Sequence, residues 1–374
     1  MKALVVGGSG PTGPFLVEGL LENGYEVVVL HRGVHEETTA SEVEHIHADP
    51  HFREPFADAL AGRTFDLVLS TYGRLIHQAD VLAGRCGRFL GVGGIAAYRG
   101  FSDPSSVRPY GMRVGSSETD PLDELLPGSS AASKFAQKMI AVERRVMELH
   151  AAGEFEATWF RYPMIYGPRN IYPREWSVIR RINDGRRRII LADGGLGIRT
   201  RAASRNAAHA VLLAVQQAET ASGQIFNLGE DRLLSLREWV ETLAGMMGSE
   251  LEIVSLPSEI AQAGHALTPL AGTTSAHAVM DTTKIKTELG YSDVVSVEHA
   301  LMECIEWYAE HPVAEESHPD FPDRFDYARE DALIEGYREA IGSVEQRVPW
   351  PDTPVVHGYA HPKAPGVGPD QRGR

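Results

Sequence analysis

Three glycines spaced Gly7-x-x-Gly10-x-x-Gly13 stand between the apolar run Ala3-Leu4-Val5-Val6 and the helical pattern Phe15-Leu16-Val17 with Leu20-Leu21. Gly7 suits a tight turn, Gly10 a close approach of backbone N–H groups to a pyrophosphate, and Gly13 the close packing of a helix on a strand. With Ser9, Pro11 and Thr12 between them, they would hold the two phosphates of a dinucleotide at the positive end of that helix. Pro11 and Pro14 fall in the first turn, where a missing N–H costs little.

Such a loop works only if strands and helices position it. Strands are expected at 26–30, 43–47, 65–70, 88–93, 157–161, 188–191 and 224–228, and helices at 131–152, 175–184, 203–218, 236–247 and 297–310. This alternation predicts an α/β chain, a Rossmann-type doubly wound parallel sheet with a smaller C-terminal substrate lobe. The expected division is a nucleotide-binding domain over 1–168, a substrate lobe over 169–312 and an extension over 313–374, with a strand near 223–229 returning to the sheet. Residues 97–128 break the rhythm with Gly, Pro, Ser and charge, as a functional loop does. The extension is expected to wrap or fray.

The formal net charge of −15 opposes nucleic acid and anionic membranes as partners and leaves a small-molecule substrate. No run reaches the roughly 18 apolar residues of a membrane span. Cys86 and Cys304 lack metal-ligand spacing, so neither a metal nor a disulfide is expected, and the expected location is the cytoplasm.

The pattern resembles the extended short-chain dehydrogenase/reductase family, which includes nucleotide-sugar epimerases and dehydratases, in an atypical form. Besides the glycines, the resemblance is carried by Ser133-Lys134 opening a long helix, Arg161-Tyr162-Pro163-Met164-Ile165-Tyr166-Gly167-Pro168-Arg169, Gly223-Gln224-Ile225-Phe226-Asn227-Leu228-Gly229, and Asp281-Thr282-Thr283-Lys284 followed by Leu289-Gly290-Tyr291. It covers Met1 to His311 and implies an NAD(P)-dependent oxidoreductase or epimerase-like enzyme. Asp49 and Pro50 would then lie at the adenine, Thr71, Tyr72 and Gly73 along the pyrophosphate and ribose, and Tyr162, Pro163 and Met164 would complete the cofactor contacts. Lys134 would orient the nicotinamide ribose, and the helix over 131–152 would form a homodimer interface.

Cofactor choice falls to His31-Arg32-Gly33, where an NAD-preferring relative usually carries an acid. An arginine there favours the 2′-phosphate of NADP, which it can grip through two N–H groups, with His31 as an added donor; NAD is the second choice.

The catalytic signature departs from the family. The position four residues before Lys134, where relatives place a tyrosine, is Ser130, and the strand-five Ser or Thr is replaced by Gly93-Gly94. Three accounts stay open: another phenol acts (Tyr98, Tyr72 or Tyr110); Lys134 or a water supplies the proton through Ser130; or proton transfer is lost and the fold serves as a nucleotide-binding sensor or structural protein. Met164 and Asn206 also replace a family Asn and Asp, weakening a sugar-nucleotide reading. Arg180-Arg181, Arg186-Arg187-Arg188, Arg199 and Arg201 read either as a clamp for a phosphate or carboxylate or as a solvated helix end and turn.

Overall fold

Runs such as Ala3–Val6 and Val27–Leu30 are too apolar on both faces for an edge or a surface, and each is at most 3% exposed. They form strands of a parallel sheet covered by helices on both sides. The computed structural model describes residues 1–33, 43–71, 73–123, 131–260, 270, 275–313 and 323–348. In chain order, β1 (Lys2–Val6), α1 (Gly13–Glu22), β2 (Glu26–His31), β3 (Glu44–His47), α2 (Arg53–Ala59), β4 (Phe65–Ser70), α3 (Leu75–Leu82) and β5 (Cys86–Gly94) build the first half. Then come α4 (Ala131–Ala151), β6 (Glu156–Tyr162), β7 (Met164–Tyr166), α5 (Arg174–Asn183), β8 (Arg188–Ala192), β9 (Ile198–Arg199) and β10 (Arg201–Ala203). The described chain continues through α6 (Ser204–Gln216), α7 (Ala218–Ala221), β11 (Gln224–Asn227), β12 (Leu234–Ser235), α8 (Leu236–Met246), β13 (Glu252–Leu256), α9 (Thr283–Leu289), α10 (Val297–Glu310) and α11 (Tyr327–Arg347).

Seven strands pair in the order β11-β6-β5-β4-β1-β2-β3, all parallel. The strand order reverses between β1 and β4, and ligands of doubly wound sheets bind at that crevice. The glycine loop leaves the carboxyl end of β1, so the topology delivers it to the crevice. Residues Met1–Asp326 form one compact unit and Tyr327–Arg374 a second, of which α11 is described. The chain after Pro312 therefore holds a 21-residue helix where wrapping or fraying was expected.

Sequence patterning missed the short pieces that shape the second lobe. β7 pairs with β10 and β9 with β12, while the five-residue β13, also missed, pairs with β8, the strand expected at 188–191. Strands of two or three residues carry no readable period. β13 pairs Glu252 with Arg188 at its outer end and buries Val254 and Leu256 farther in. α8 starts on a capping box, Ser235 accepting from the Glu238 amide while Glu238 accepts from the Ser235 amide.

Most apolar positions of α4 are spent inside the chain: Ala136, Ile140, Val146 and Leu149 are all buried, whereas Phe135 is strongly exposed, at 60%. No described helix is long and apolar enough to cross a membrane.

Candidate functional site

Between β1 and α1 the chain turns at Gly7, whose φ of 93° suits glycine and whose N–H reaches the Leu30 carbonyl. A Cβ on Gly13 would sit 2.1 Å from the Gly8 carbonyl oxygen, so the helix packs on the loop as closely as backbone allows. Gly8, which the sequence reading passed over, is pressed from the other side, its virtual Cβ 2.8 Å from Val29. Gly10 differs, because a Cβ there would meet nothing nearer than the Gly7 carbonyl oxygen at 3.8 Å. The fold does not need a glycine at this point, and the cleared space lies over the amino end of α1. That end has Thr12 as its cap without a side-chain hydrogen bond and no acidic residue in its first turn, so its dipole is uncompensated. Ser9, Gly10, Pro11 and Thr12 thus border a surface that suits a pyrophosphate.

Tyr162 packs in the core beneath this loop, and burial, opposed by the Thr12 side chain, pushes its phenol up. Its ring supports the loop. Two residues on, Met164 already lines the second lobe, so the Tyr162-Pro163-Met164 segment links the loop to that lobe.

At the ends of β2 and β3, His31 is 5% exposed and both ring nitrogens are engaged. Its Nδ1 accepts from the Gly33 N–H at 3.0 Å, which leaves Nε2 to donate to His45 Nδ1 at 2.7 Å. The expected donation from His31 to a 2′-phosphate is corrected on that ground: the imidazole shapes the turn that presents Arg32. Arg32 is exposed, and its charge helps hold the Asp49 carboxyl below the usual range, behind the larger effect of the His51 amide on Asp49 Oδ1. Pro50 packs against Gly73, where a Cβ would lie 2.9 Å from the Pro50 ring. Both the amide and the hydroxyl of Thr71 donate to the Val6 carbonyl, so Thr71 fixes β4 to β1. Tyr72 lies outside the described residues.

The catalytic positions are rearranged. Tyr98 is 1% exposed, and its hydroxyl lies 2.6 Å from Asn227 Oδ1 and 3.0 Å from the Ser117 carbonyl while accepting from Arg161 Nη1 at 2.9 Å. Arg161 in turn makes a two-bond pair with buried Glu143, at 2.9 and 2.7 Å. Burial raises the Tyr98 phenol further, so its expected catalytic role is corrected: it is a fastener between the sheet and the 116–118 segment. Asn227 completes the fastening by donating to the Ser116 and Asp281 carbonyls.

The glycines that replace the family hydroxyl have a packing cause. A Cβ on Gly93 would meet the Trp159 indole at 2.8 Å, and one on Gly94 would meet the Met139 methyl at 2.9 Å. A hydroxyl at either place would collide with a hydrophobic side chain. Lys134, in the first turn of α4, is exposed and makes no hydrogen bond or ion pair among the described residues. Ser130 lies outside the described residues, and Tyr110 is 59% exposed.

In the second lobe a crevice with about 10 Å³ of free space lies between β7, the start of α5, β9, β10 and α8. Arg174, Arg199 and Arg201 line it with Glu175. Burial lowers both Arg199 and Arg201 to about 10, Arg174 adding to the effect on Arg199 and Arg199 to that on Arg201. The other basic residues of the sequence lie elsewhere: Arg180 pairs with Asp184, and Arg181 is buried against Asp323. Glu175 and Arg174 escaped the sequence reading because an acid in a first helical turn is ordinary dipole compensation.

Burial holds both Glu175 and Glu230 up to about 7, although Glu230 accepts from the Tyr166 hydroxyl and the Ala203 amide. An acid whose folded value exceeds its unfolded 4.5 binds its proton more tightly when folded. Its contribution is present below the unfolded value and is lost as pH rises through 7. Each group therefore contributes roughly 3 kcal/mol of pH dependence across that window. Urea unfolding of the Glu230→Gln variant should show a flatter loss between pH 4.5 and 7 than the parent protein; parallel profiles would refute the assignment.

Residues 96–229 match the sequence profile of the NAD dependent epimerase/dehydratase family. No curated protein matches the chain by sequence. UDP-glucose 4-epimerase from Thermotoga maritima, solved with UDP-glucose, shares the fold at a TM-score of 0.65 and 19% identity, covering 83% of this chain and 99% of its own. The dTDP-glucose 4,6-dehydratase of Bacillus anthracis, solved with NAD, gives a TM-score of 0.62 at 14% identity over 86% of this chain and 99% of its own. Pal from Bacillus thuringiensis gives 0.63 at 19% over 83% of this chain and 100% of its own. The chain is thus similar to the NAD dependent epimerase/dehydratase family over residues 96–229 and shares its fold with these enzymes.

Proposed function

We propose that the protein is an NADP(H)-dependent oxidoreductase or epimerase-like enzyme acting on a small molecule, with an acid–base step that no tyrosine at the usual position performs. The observation that carries the reading is the uncompensated amino end of α1 beneath a loop that keeps open space at Gly10. Ser9 to Gly13 hold the pyrophosphate, Arg32 the 2′-phosphate, and Asp49 and Pro50 border the adenine. A bound nicotinamide supplies or accepts hydride. Lys134, whose ammonium has no partner among the described residues, reaches the mouth of the site, where it holds the ribose hydroxyls and favours the deprotonated form of a neighbouring proton carrier. The substrate lies toward the arginine-lined crevice, reached along Tyr162-Pro163-Met164.

The packing of Met139 over Gly94 and the locked phenol of Tyr98 favour a second reading, a nucleotide-binding protein without turnover. Both readings carry a cytoplasmic protein with no nucleic-acid or membrane partner, and the homodimer through α4 rests on Phe135.

The test is a fluorescence titration with NADPH and NADH followed by turnover on a panel of carbonyl compounds. Binding with turnover that falls on Lys134→Met supports the enzyme. Binding without turnover, indifferent to that change, supports the second reading, and no binding ends both.

A further inference from the structure

The buried face of α3 repeats through Leu75, Gln78, Ala79 and Leu82. Three of these are apolar, as a core-facing stripe requires, and the fourth carries an amide that is 0% exposed. Burying an amide is unfavourable unless hydrogen bonds satisfy it, so a glutamine in this stripe answers a need other than packing. Its neighbours show which. The side-chain oxygen of Gln78 accepts from the Ser70 hydroxyl at 2.5 Å, and Ser70, also 0% exposed, is the last residue of β4. The side-chain nitrogen closes on Gly73, where a Cβ would lie 2.7 Å from it.

The backbone beyond β4 is thereby held from three sides. Thr71 is tied to the Val6 carbonyl at the end of β1, and the Arg74 amide donates to the Pro50 carbonyl at 3.2 Å. Gly73, at a φ of 94°, fits between the Pro50 ring and the Gln78 amide. Removing that amide leaves the links to β1 and Pro50 in place and frees the backbone on the helix side. This segment leaves the sheet where β4 pairs with β1, beside the glycine loop and at the point where the strand order reverses.

We propose that Gln78 is a positioning residue for the coenzyme: through Ser70 and Gly73 it fixes the backbone that lies along the nicotinamide half of the dinucleotide, without touching the ligand. The inference rests on the coenzyme reading above and adds the residue that shapes this side of the crevice. Gln78 is fully buried, so its effect on binding has to pass through the segment it holds.

The test compares two ligands on the full chain: NADPH, and adenosine 2′,5′-bisphosphate, which offers only the adenine half with its 2′-phosphate. Gln78→Met keeps the length and bulk of the side chain and removes its polar contacts, so the melting temperature should stay close to the parent's. NADPH should bind this variant about tenfold more weakly, and the bisphosphate within about twofold of the parent. A residue that served only the fold would move the melting temperature alone or both ligands alike. Ser70→Ala should reproduce about threefold of the NADPH loss, and it serves if the methionine variant does not fold. The double variant should bind NADPH no more weakly than Gln78→Met, because the two residues act through one hydrogen bond. Unchanged NADPH affinity in the folded variants, equal losses for the two ligands, or losses that add in the double variant would overturn the proposal. A parent protein that binds neither ligand would end the coenzyme reading and this inference with it, a result distinct from those three.

Discussion

Changing Arg32 to alanine lowers the affinity for NADPH by roughly 10- to 150-fold and leaves that for NADH within about threefold. The argument rests on what surrounds the turn after β2. His31 has both nitrogens spent on Gly33 and His45, so it cannot replace a lost guanidinium. A fork of N–H groups on a dianionic phosphate is a charge-assisted contact worth about 1.5–3 kcal/mol, and the 2′-hydroxyl of NADH offers no such partner. Fluorescence titration of parent and variant with both coenzymes reads the ratio directly. Equal losses for the two would mean that Arg32 serves the fold of the turn, and the NADP assignment would fall.

Removing the carboxylate of Glu143 by alanine should destabilise the protein by roughly 3–5 kcal/mol, because it strands the Arg161 guanidinium in a site only 2% exposed. The loss extends beyond the pair. Arg161 also donates to the Tyr98 hydroxyl and the Glu118 carbonyl, so the stranded charge disturbs the fastening of the 116–118 segment to the sheet. Urea midpoints measure the effect. A double change, Glu143→Leu with Arg161→Met, removes both charges and should recover much of the loss. A double variant as unstable as the single one would show that packing, and not an unpaired buried charge, sets the cost.

The sequence made the sheet legible because parallel strands buried on both faces read as unbroken apolar runs, and β1, β2, β4, β5 and β6 are of that kind. It did not reveal β7, β9, β10 and β12, which are two or three residues long and exist only through their partners. The helix α11 escaped for another reason: its charges are spread around its circumference, so no apolar stripe announces it. At the site, the glycine spacing was readable because Gly7 and Gly13 answer local needs of turn and packing, and Gly10 leaves open space between them. Tyr98 was misjudged because spacing cannot report a partner 129 residues away, and Asn227 is that partner. Gly93 and Gly94 looked like lost catalysis, whereas Trp159 and Met139 supply the steric reason that no side chain fits there. The full burial of Glu175 was invisible too, since it is a property of the fold alone.

The central claim is that a dinucleotide's phosphates lie over the loop before α1, and Gly10 isolates that claim from folding. A Cβ there meets no described protein atom nearer than 3.8 Å, and the backbone is outside the left-handed region, so Gly10→Asp should fold with a nearly unchanged melting temperature. Its carboxylate would occupy the space of the pyrophosphate and repel it. NADPH titration of this variant should show no saturable binding at concentrations that saturate the parent protein. Unaltered NADPH affinity in a folded Gly10→Asp protein would contradict the account.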